Sequence, residues 1–550
     1  MAIVTIDRNA FEKEIGKLND KMEERISMFG TPVESVNSKE IQIEVFPNRP
    51  DLLSYQGFKG SFLPFLGKGT GIKKYSLNSV EKDFRVIVDS SVKNVRPYTS
   101  CVIVKGLNLN DERIKEIIEI QEKIHLTIGR KRKKLAMGIY PLDKIKLPII
   151  FKAMNPEEIK FAPIDYQKEM SGKEILKKHS TGREYAHLLK GKEKFPIFVD
   201  SNNNILSMPP IINSNLTGKV TEETRDVFVE CSGFNQEILR KCINIVSATL
   251  ADMGGKIFRM EIKSGMKKEI SPDFKTEEMK LSLDNVNKLL GLNLSESQVK
   301  TLVEKMGYDY NKSSSSVKIP PWRMDVLQEV DLIEDIAIAY GYENFVPEIP
   351  KISTIGQESP REIIRRKISE MFSGIEMLEV MNYHLTNKKN QFEKMGIQKK
   401  DFIELEESKT DYTLLRKDLS HVLLKVFSEN SDSEYPQKIF ETGKVFNLNN
   451  EKVVESESLA VAVSSGNFTD IKQTIEYFFR LIDLKIKIEE CEEFPKYFIG
   501  GRVAKVVLEG KQIGFLGEIH PRILKNWKIK MPVALAEISL EEVFEKLIKE

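Results

Sequence analysis

Residues Pro320–Phe345 read PPWRMDVLQEVDLIEDIAIAYGYENF, and five carboxylates (Asp325, Glu329, Asp331, Glu334 and Asp335) crowd into eleven of those positions. The rest of the stretch has helical periodicity. Val326, Val330, Ile333, Ala337 and Tyr340 step by four, three, four and three, which predicts one apolar helix face. Pro320-Pro321 block a helix upstream, and Gly341 is a natural stop. At roughly 100° per residue, Asp331, Glu334 and Asp335 share a face about 130° from the apolar stripe. Like charges at these spacings oppose a helix by about 0.2–0.5 kcal/mol per pair. Either the acidic face is solvated, or a cation compensates it: an Arg, a Lys, or a hard metal such as Mg²⁺, which takes oxygen ligands. Ile338 continues that face and suits an interface better than open water. On these residues alone both readings stand.

Around this element the chain is ordinary in bulk. Its 550 residues exceed one hydrophobic core and predict about three to five domains. With 84 basic against 82 acidic residues the net charge is +2, so nucleic-acid contact would come from local patches rather than a global field. Cys101, Cys231, Cys242 and Cys491 form no CxxC and no Cys/His metal spacing. That usage, an N-terminus without an apolar signal core, and no apolar run near the ~20 residues of a membrane span predict a cytoplasmic protein with no membrane contact.

The predicted fold class is multidomain, α/β followed by α+β, in four segments. Residues 1–85 read as a small α/β unit: a helix around Arg8–Phe29, a strand Ile41–Phe46, then PNRPDLLSYQGF, where Asp51 can cap the next helix and Arg49 presents a donor fork at a rigid corner. Residues 86–262 read as a larger α/β domain with strands FRVIVD, YTSCVIVKGL, KLAMGIYPL, FPIFVD and DVFVECSG and helices near Glu112–Ile128 and Gln236–Met253. Residues 267–350 read as a small helix-rich domain with the acidic helix; LSLDNVNKLLG and SESQVKTLVEKMGY open with capping serines, and NKSSSSV is a turn or hairpin tip between a helix and the strand VKIPPW. Residues 353–550 alternate helices with β-rich pieces, the pattern of an antiparallel sheet flanked by helices.

Two further stretches could carry chemistry. GRKRKK (Gly129–Lys134) follows a helix ending near His125; such a basic run is either solvated or holds phosphate beside a cleft. In Leu206–Gly233, Ser207, Asn213, Glu230 and Ser232 around Met208, Ile211 and Phe228 would make a small pocket with few oriented polar groups. Ordinary turn chemistry is the competing reading. There is no GxSxG, no HExxH and no Cys/His nucleophile signature, and Gly500-Gly501 leads into a strand rather than a phosphate-cradling helix.

Taken in order, VFPNRPDLLSYQGF (45–58), GRKRKKLAMGIYPLDKI (129–145), KFAPIDYQKEM with KHSTGREYAHLLKG (160–191), LSMPPIINS (206–214), PPWRMDVLQEVDLIEDIAIAYGYEN (320–344), FETGKVF and IGFLGEIHPRIL resemble the β subunits of phenylalanyl-tRNA synthetases, archaeal and eukaryotic type, across essentially the whole chain. The resemblance implies a ligase subunit of an (αβ)₂ heterotetramer in which an α subunit joins Phe to tRNA(Phe) with ATP. It implies Mg²⁺ shared with that α subunit at the spacing D-x5-D-x2-E-[ED], here Asp325, Asp331, Glu334 and Asp335, the last standing where Glu is more usual. It implies that the second segment is an editing domain hydrolysing Tyr-tRNA(Phe). Glu230 is then the acceptor for the tyrosine hydroxyl with Ser232 close by, Ser207 and Asn213 line the pocket, and Gln121, His125 and Arg130 face the tRNA terminus or its ester. Tyr140 stands where relatives often carry His. The helix-rich segment would have a DNA/RNA-binding-like fold, and the last segment a degenerate class II synthetase fold without the ATP motifs. Two alternatives remain: a non-catalytic RNA-binding scaffold with a decayed editing site, and a stand-alone Mg²⁺-dependent phosphoesterase using the same carboxylates.

Overall fold

The computed structural model describes residues 2–350, 354–406, 408–450 and 452–548; the expected segment ends at Met1, Ser353 and Glu550 lie outside them. The chain divides into two compact units, Met1–Ile349 and Pro350–Glu550. Among the described residues no helix is long and apolar enough to cross a membrane.

The first unit begins with a three-stranded antiparallel sheet in which Glu40–Val45 lies between Ala2–Asp7 and Val33–Val36. The helix expected over Arg8–Phe29 is two helices, Arg8–Glu14 and Asp20–Met28, because Asn19 turns its side chain back to accept the Met22 N–H and starts a new helix. Asp51 does not cap the following helix. Ser54 does, leaving Asp51 to take the Arg49 fork at 2.7 and 3.0 Å.

Two sheets then face each other. One has seven strands, in spatial order Ile212–Asn213, Ile205–Met208, Phe195–Val199, Ile149–Met154, Arg85–Val88, Met260–Ser264 and Lys267–Ser271; the other has five, ordered Leu77–Asn78, Lys256–Phe258, Tyr98–Lys105, Val227–Gly233 and Leu135–Pro141. The sheet therefore extends past the expected boundary at 262, since Met260–Ser264 and Lys267–Ser271 pair antiparallel. Alternation along VFVECSG sorts the side chains. Val227, Val229 and Cys231 pack toward the helices Asp111–Leu126 and Gln236–Asp252, whereas Phe228 packs between the sheets with Tyr140, Phe151 and Phe198.

The helix Gln236–Asp252 is buried along most of its length. Around it one continuous core runs from Val4 through Phe58 and Leu250 to Ala339, so the first three expected segments pack as a single unit. Its last part is a three-stranded sheet, Glu277–Lys280, Ser316–Ile319 and Asp309–Asn311, with helices Leu283–Leu290, Glu296–Lys305 and Glu329–Tyr340. Ser282 and Ser295 cap as read, the latter reciprocally with Gln298. NKSSSSV is a hairpin tip, one of the two forms expected, with the short strand Asp309–Asn311 standing between it and the preceding helix.

The second unit is a seven-stranded sheet in spatial order Leu378–Glu379, Gln437–Asn449, Lys452–Ser464, Val533–Ser539, Lys511–Ile519, Phe498–Leu508 and Ile486–Glu490, antiparallel but for the first pair. Leu459, Val461 and Val463 face helices Pro360–Gly374, Phe468–Leu481 and Glu541–Ile548; Ala460 and Ala462 face Ser420–Glu429 and Pro521–Trp527. Gly500-Gly501 lie inside a strand, and Arg502 pairs with Glu518 at 2.7 Å.

Candidate functional site

Where the edge strand Leu135–Pro141 meets the helix Asp111–Leu126 and the loop after Met208, the first unit forms a partly open cavity of about 500 Å³ lined by Gln121, His125, Arg132, Ser207, Asn213 and Glu230 among others. That size suits an amino-acid side chain with its ester. Glu230 comes from the strand Val227–Gly233, next to the edge strand, opposite Gly138, and is 2% exposed. The Tyr140 hydroxyl donates toward Glu230 Oε1 (3.2 Å) and Asn213 Oδ1 (3.4 Å). Glu230 Oε2 and Ser207 Oγ are buried with no hydrogen-bond partner. Two such atoms cost about 1–3 kcal/mol each, which a ligand with a hydrogen-bonding group would recover. Burial outweighs the nearby Arg96 guanidinium and pushes the Glu230 carboxyl up to about 8, so at neutral pH it both donates and accepts.

The other expected residues differ in placement. Ser232 is fully buried beside Glu230, as expected, with its hydroxyl against the carboxyl, while its hydroxyl and carbonyl also take Arg96 Nε (3.1 Å) and Nη2 (2.6 Å); it does not line the cavity. Gln121 donates to the Met137 carbonyl (2.9 Å), and His125 Nε2 accepts the Met137 N–H (2.9 Å) while Nδ1 faces Glu122 (3.3 Å). Burial holds His125 below the usual histidine range, hence neutral. Both residues pin the edge strand to the helix from the cavity wall. Arg130 is exposed and outside the cavity; Arg132 lines it instead. The reason is a left-handed turn. Arg130, Lys131 and Arg132 have φ of 46°, 53° and 65°, a conformation costing roughly 1–2 kcal/mol per residue. Gly129 permits the turn, since a Cβ there would meet the His125 carbonyl at 2.5 Å. Arg132 holds it, donating to the Ile211 carbonyl (2.8 Å) and Glu122 (2.9 Å) and lying over the Tyr185 ring.

The acidic helix starts at Glu329, not Val326, because Asp331 folds back to accept the Leu327 and Gln328 N–H groups (2.7 and 2.8 Å). Its buried face is Leu332, Ile333, Asp335, Ile336, Ala337 and Ala339, while Val330, expected inside, is 45% exposed. The carboxylates are largely matched from within. Arg323, itself buried, forks onto Asp325 (2.8 and 2.6 Å) and reaches Asp335 (2.8 Å), which also accepts the Tyr308 hydroxyl. Burial opposes the Arg323 charge, yet Asp335, Tyr308 and Asp325 raise it well above the ordinary guanidinium value. Glu329 caps the helix Leu283–Leu290 through the Ser282 N–H (2.6 Å) and binds the Asn285 amide (2.8 Å). Among the described residues only Glu334 of the five has no hydrogen-bond or ion-pair partner, and no group of three or more His, Cys, Asp or Glu side chains converges as a metal cage. The donors of this chain alone therefore do not fit a complete Mg²⁺ site.

Comparison with known proteins matches each of the chain's main parts to one family. Family models match residues 86–249 (B3/4 domain), 279–342 (tRNA synthetase B5 domain) and 346–540 (phenylalanyl tRNA synthetase beta chain CLM domain). The chain is 37% identical over 551 residues to the phenylalanine–tRNA ligase β subunit of Archaeoglobus fulgidus, covering 99% of each, and 39% identical over 506 residues to that of Pyrococcus furiosus, covering 90% of each. It belongs to the phenylalanine–tRNA ligase β-subunit family. A crystal structure of an N-terminal fragment of the β subunit from Pyrococcus horikoshii is similar with a TM-score of 0.59 and 37% identity, covering 62% of this chain and 99% of the fragment.

For a β-subunit family member the sequence reading missed three residues. Arg96 lies 136 positions from Ser232, and no local signal marks it. Arg132 sits in the quoted basic run, but only the handedness of the turn selects it over Arg130. Tyr140 was visible solely as a departure from the family pattern.

Proposed function

We propose that this chain is the β subunit of a phenylalanine–tRNA ligase whose ATP-dependent attachment of Phe to tRNA(Phe) takes place on a separate α subunit, in an (αβ)₂ assembly, while the cavity of the first unit hydrolyses Tyr-tRNA(Phe). The carrying observation is a partly open pocket of amino-acid size lined by Glu230 and Ser207, whose Oε2 and Oγ atoms lack partners. Tyr differs from Phe by one hydroxyl, and an apolar synthetic pocket rejects an added hydroxyl by only about 10². A second pocket that hydrogen-bonds the hydroxyl reverses the preference. Glu230 and Ser207 would hold the phenol and Asn213 would orient the ester. A water molecule would attack the ester carbonyl: the new bond is water oxygen to carbonyl carbon, the bond broken is carbonyl carbon to ribose oxygen, and a water proton ends on that oxygen. His125 is already bound to the Met137 backbone, so water rather than a side chain is the nucleophile. The exposed Arg130 and Lys131 on the left-handed turn face outward, where an RNA terminus would approach.

In the second unit, buried Arg416 is paired with Glu441 at 2.5 Å, and Gly500-Gly501 form strand rather than a phosphate loop; both support locating aminoacylation on the partner. Any Mg²⁺ at the acidic helix would be shared, with Glu334 the free carboxylate on this side and the partner completing the donors. The same incompleteness counts against a stand-alone phosphoesterase.

A scaffold with a decayed site is favoured by one observation, the Tyr140 hydroxyl already resting on Glu230. Incubating the full chain with Tyr-tRNA(Phe) separates the two. Deacylation that Glu230→Ala weakens supports editing; none, even with the α subunit present, leaves the scaffold.

A further inference from the structure

We infer that Tyr140 is a positioning residue for substrate selection: its phenol fixes one oxygen of Glu230 so that the other, together with Ser207, reads a single hydroxyl on an aromatic ligand. The inference rests on the editing function proposed above and deepens it by naming what sets the specificity of that site.

The geometry begins at Gly138. It lies opposite Glu230 across the strand pair, and Tyr140 lies opposite Phe228, all four on the face between the sheets. A side chain at 138 would stand between Tyr140 and Glu230; a Cβ built there meets Tyr140 Oη at 2.1 Å and Cζ at 2.6 Å. The glycine thus leaves a slot through which the Tyr140 ring, packed on Phe228 with centroids 5.8 Å apart, leans back along its own strand to Glu230 Oε1. The same hydroxyl lies 3.4 Å from Asn213 Oδ1, and Asn213 pairs directly with Ser207 in the strand register. One phenol therefore ties together both walls of the cavity.

The result is a division of labour between two oxygens of one carboxyl. Oε1 is engaged; Oε2 and Ser207 Oγ are buried without a hydrogen-bond partner, on two residues that both line the cavity. Without Tyr140, Glu230 could rotate to satisfy either oxygen on Ser207 or Asn213, and the cavity would lose its directed polar point. The chemical class selected is a phenolic side chain esterified through its carboxyl group. A phenylalanyl ester would leave the directed oxygen unpaired, which costs its hydrolysis rather than that of the tyrosyl ester.

The test is Tyr140→Phe in the full chain, assayed on Tyr-tRNA(Phe) and Phe-tRNA(Phe), with Glu230→Ala alongside. The ring and its packing on Phe228 survive in the variant, so only the hydroxyl is lost. The expected result is a tenfold or larger fall in the Tyr/Phe ratio of deacylation kcat/KM, carried mainly by a higher KM for the tyrosyl substrate, with deacylation of Phe-tRNA(Phe) changed less than twofold. A ratio within twofold of wild type, or equal losses on both substrates, overturns the role of Tyr140. Wild-type chain that deacylates neither substrate, even with the α subunit present, refutes the editing function itself, and Glu230→Ala tells the two failures apart: activity present and sensitive to Glu230 but not to Tyr140 sinks this inference alone.

Discussion

Replacing Glu230 by Gln should flatten the pH dependence of the first unit's stability. Glu230 is 2% exposed and its carboxyl is raised from 4.5 to about 8 by burial. The unfolded chain ionises this group from pH ~4.5 upward, whereas the folded chain keeps it protonated until about 8. Its stabilising contribution is therefore complete below pH ~4.5 and is lost as pH rises toward 8, at about 1.4 kcal/mol per unit through that window. Between pH 5 and 7.5 the loss amounts to about 3 kcal/mol. Gln keeps an oxygen for the Tyr140 hydroxyl and cannot ionise, so wild type and variant should match near pH 5 and diverge above it, the variant being the more stable. The two tryptophans of the chain make this measurable, because Trp322 lies in the first unit and Trp527 in the second. Unit-specific readout matters: Glu537, buried in the second unit, is also raised to about 8 by burial and titrates over the same range. In a Trp527→Phe background, urea unfolding followed by Trp322 fluorescence at pH 5, 6.5 and 7.5 reads the first unit alone. At an m value of ~3 kcal/mol/M the divergence at pH 7.5 is about 1 M in midpoint. Parallel curves for Glu230 and Gln across that range would refute the burial of an uncharged carboxyl.

Three other outcomes follow from the same coordinates. Arg323→Met removes the ion-pair partner of Asp325 and Asp335 and should lower the first unit's stability by about 3–5 kcal/mol; adding Asp325→Asn and Asp335→Asn should recover more than half of the urea midpoint. Gly138→Ala drives a Cβ into Tyr140 and should cut Tyr-tRNA(Phe) deacylation at least tenfold, an unchanged rate showing that Tyr140 does not need that slot. Calorimetric titration with Mg²⁺ should give no saturable site at the acidic helix in the chain alone, and one removed by Glu334→Gln once an α subunit is bound; saturable binding to the lone chain would show that its own donors suffice.

Local rules made parts of this legible. Ser282 and Ser295 cap because a hydroxyl three residues before an N–H needs no tertiary help. Glu230 was findable because a carboxylate inside VFVECSG sits on a strand whose neighbours are all apolar, leaving it either paired or poised. What failed locally was decided by distant partners. Ser232 does lie beside Glu230, but Arg96, remote in sequence, binds it as well and was not legible. Asp335 was read on the outer face with Asp331 and Glu334, but a helix apolar around most of its circumference does not announce its inward side. Arg323 and Tyr308, from two other elements, draw Asp335 in.

That same reversal bears on how a β subunit can be stable before it meets its partner. If the acidic helix depended on a metal ion and a second chain for its counter-charge, the lone chain would hold several buried carboxylates at a cost of several kcal/mol per ion. Instead Arg323 pairs with the two most buried acids, the Arg49 charge adds to it at Asp325, Asp331 and Glu329 are turned to backbone N–H groups, and the residue left over, Glu334, is exposed. Exposed apolar side chains gather beside it in sequence, at Leu327 (77%), Val330 (45%) and Tyr342 (53%). A partner covering that surface would bury apolar area while meeting one unspent carboxylate, so assembly asks for little electrostatic rearrangement. The interior acids then serve folding, the surface acid is left unspent, and the crowding of charge on one short element is resolved by giving most of its members different partners within the chain.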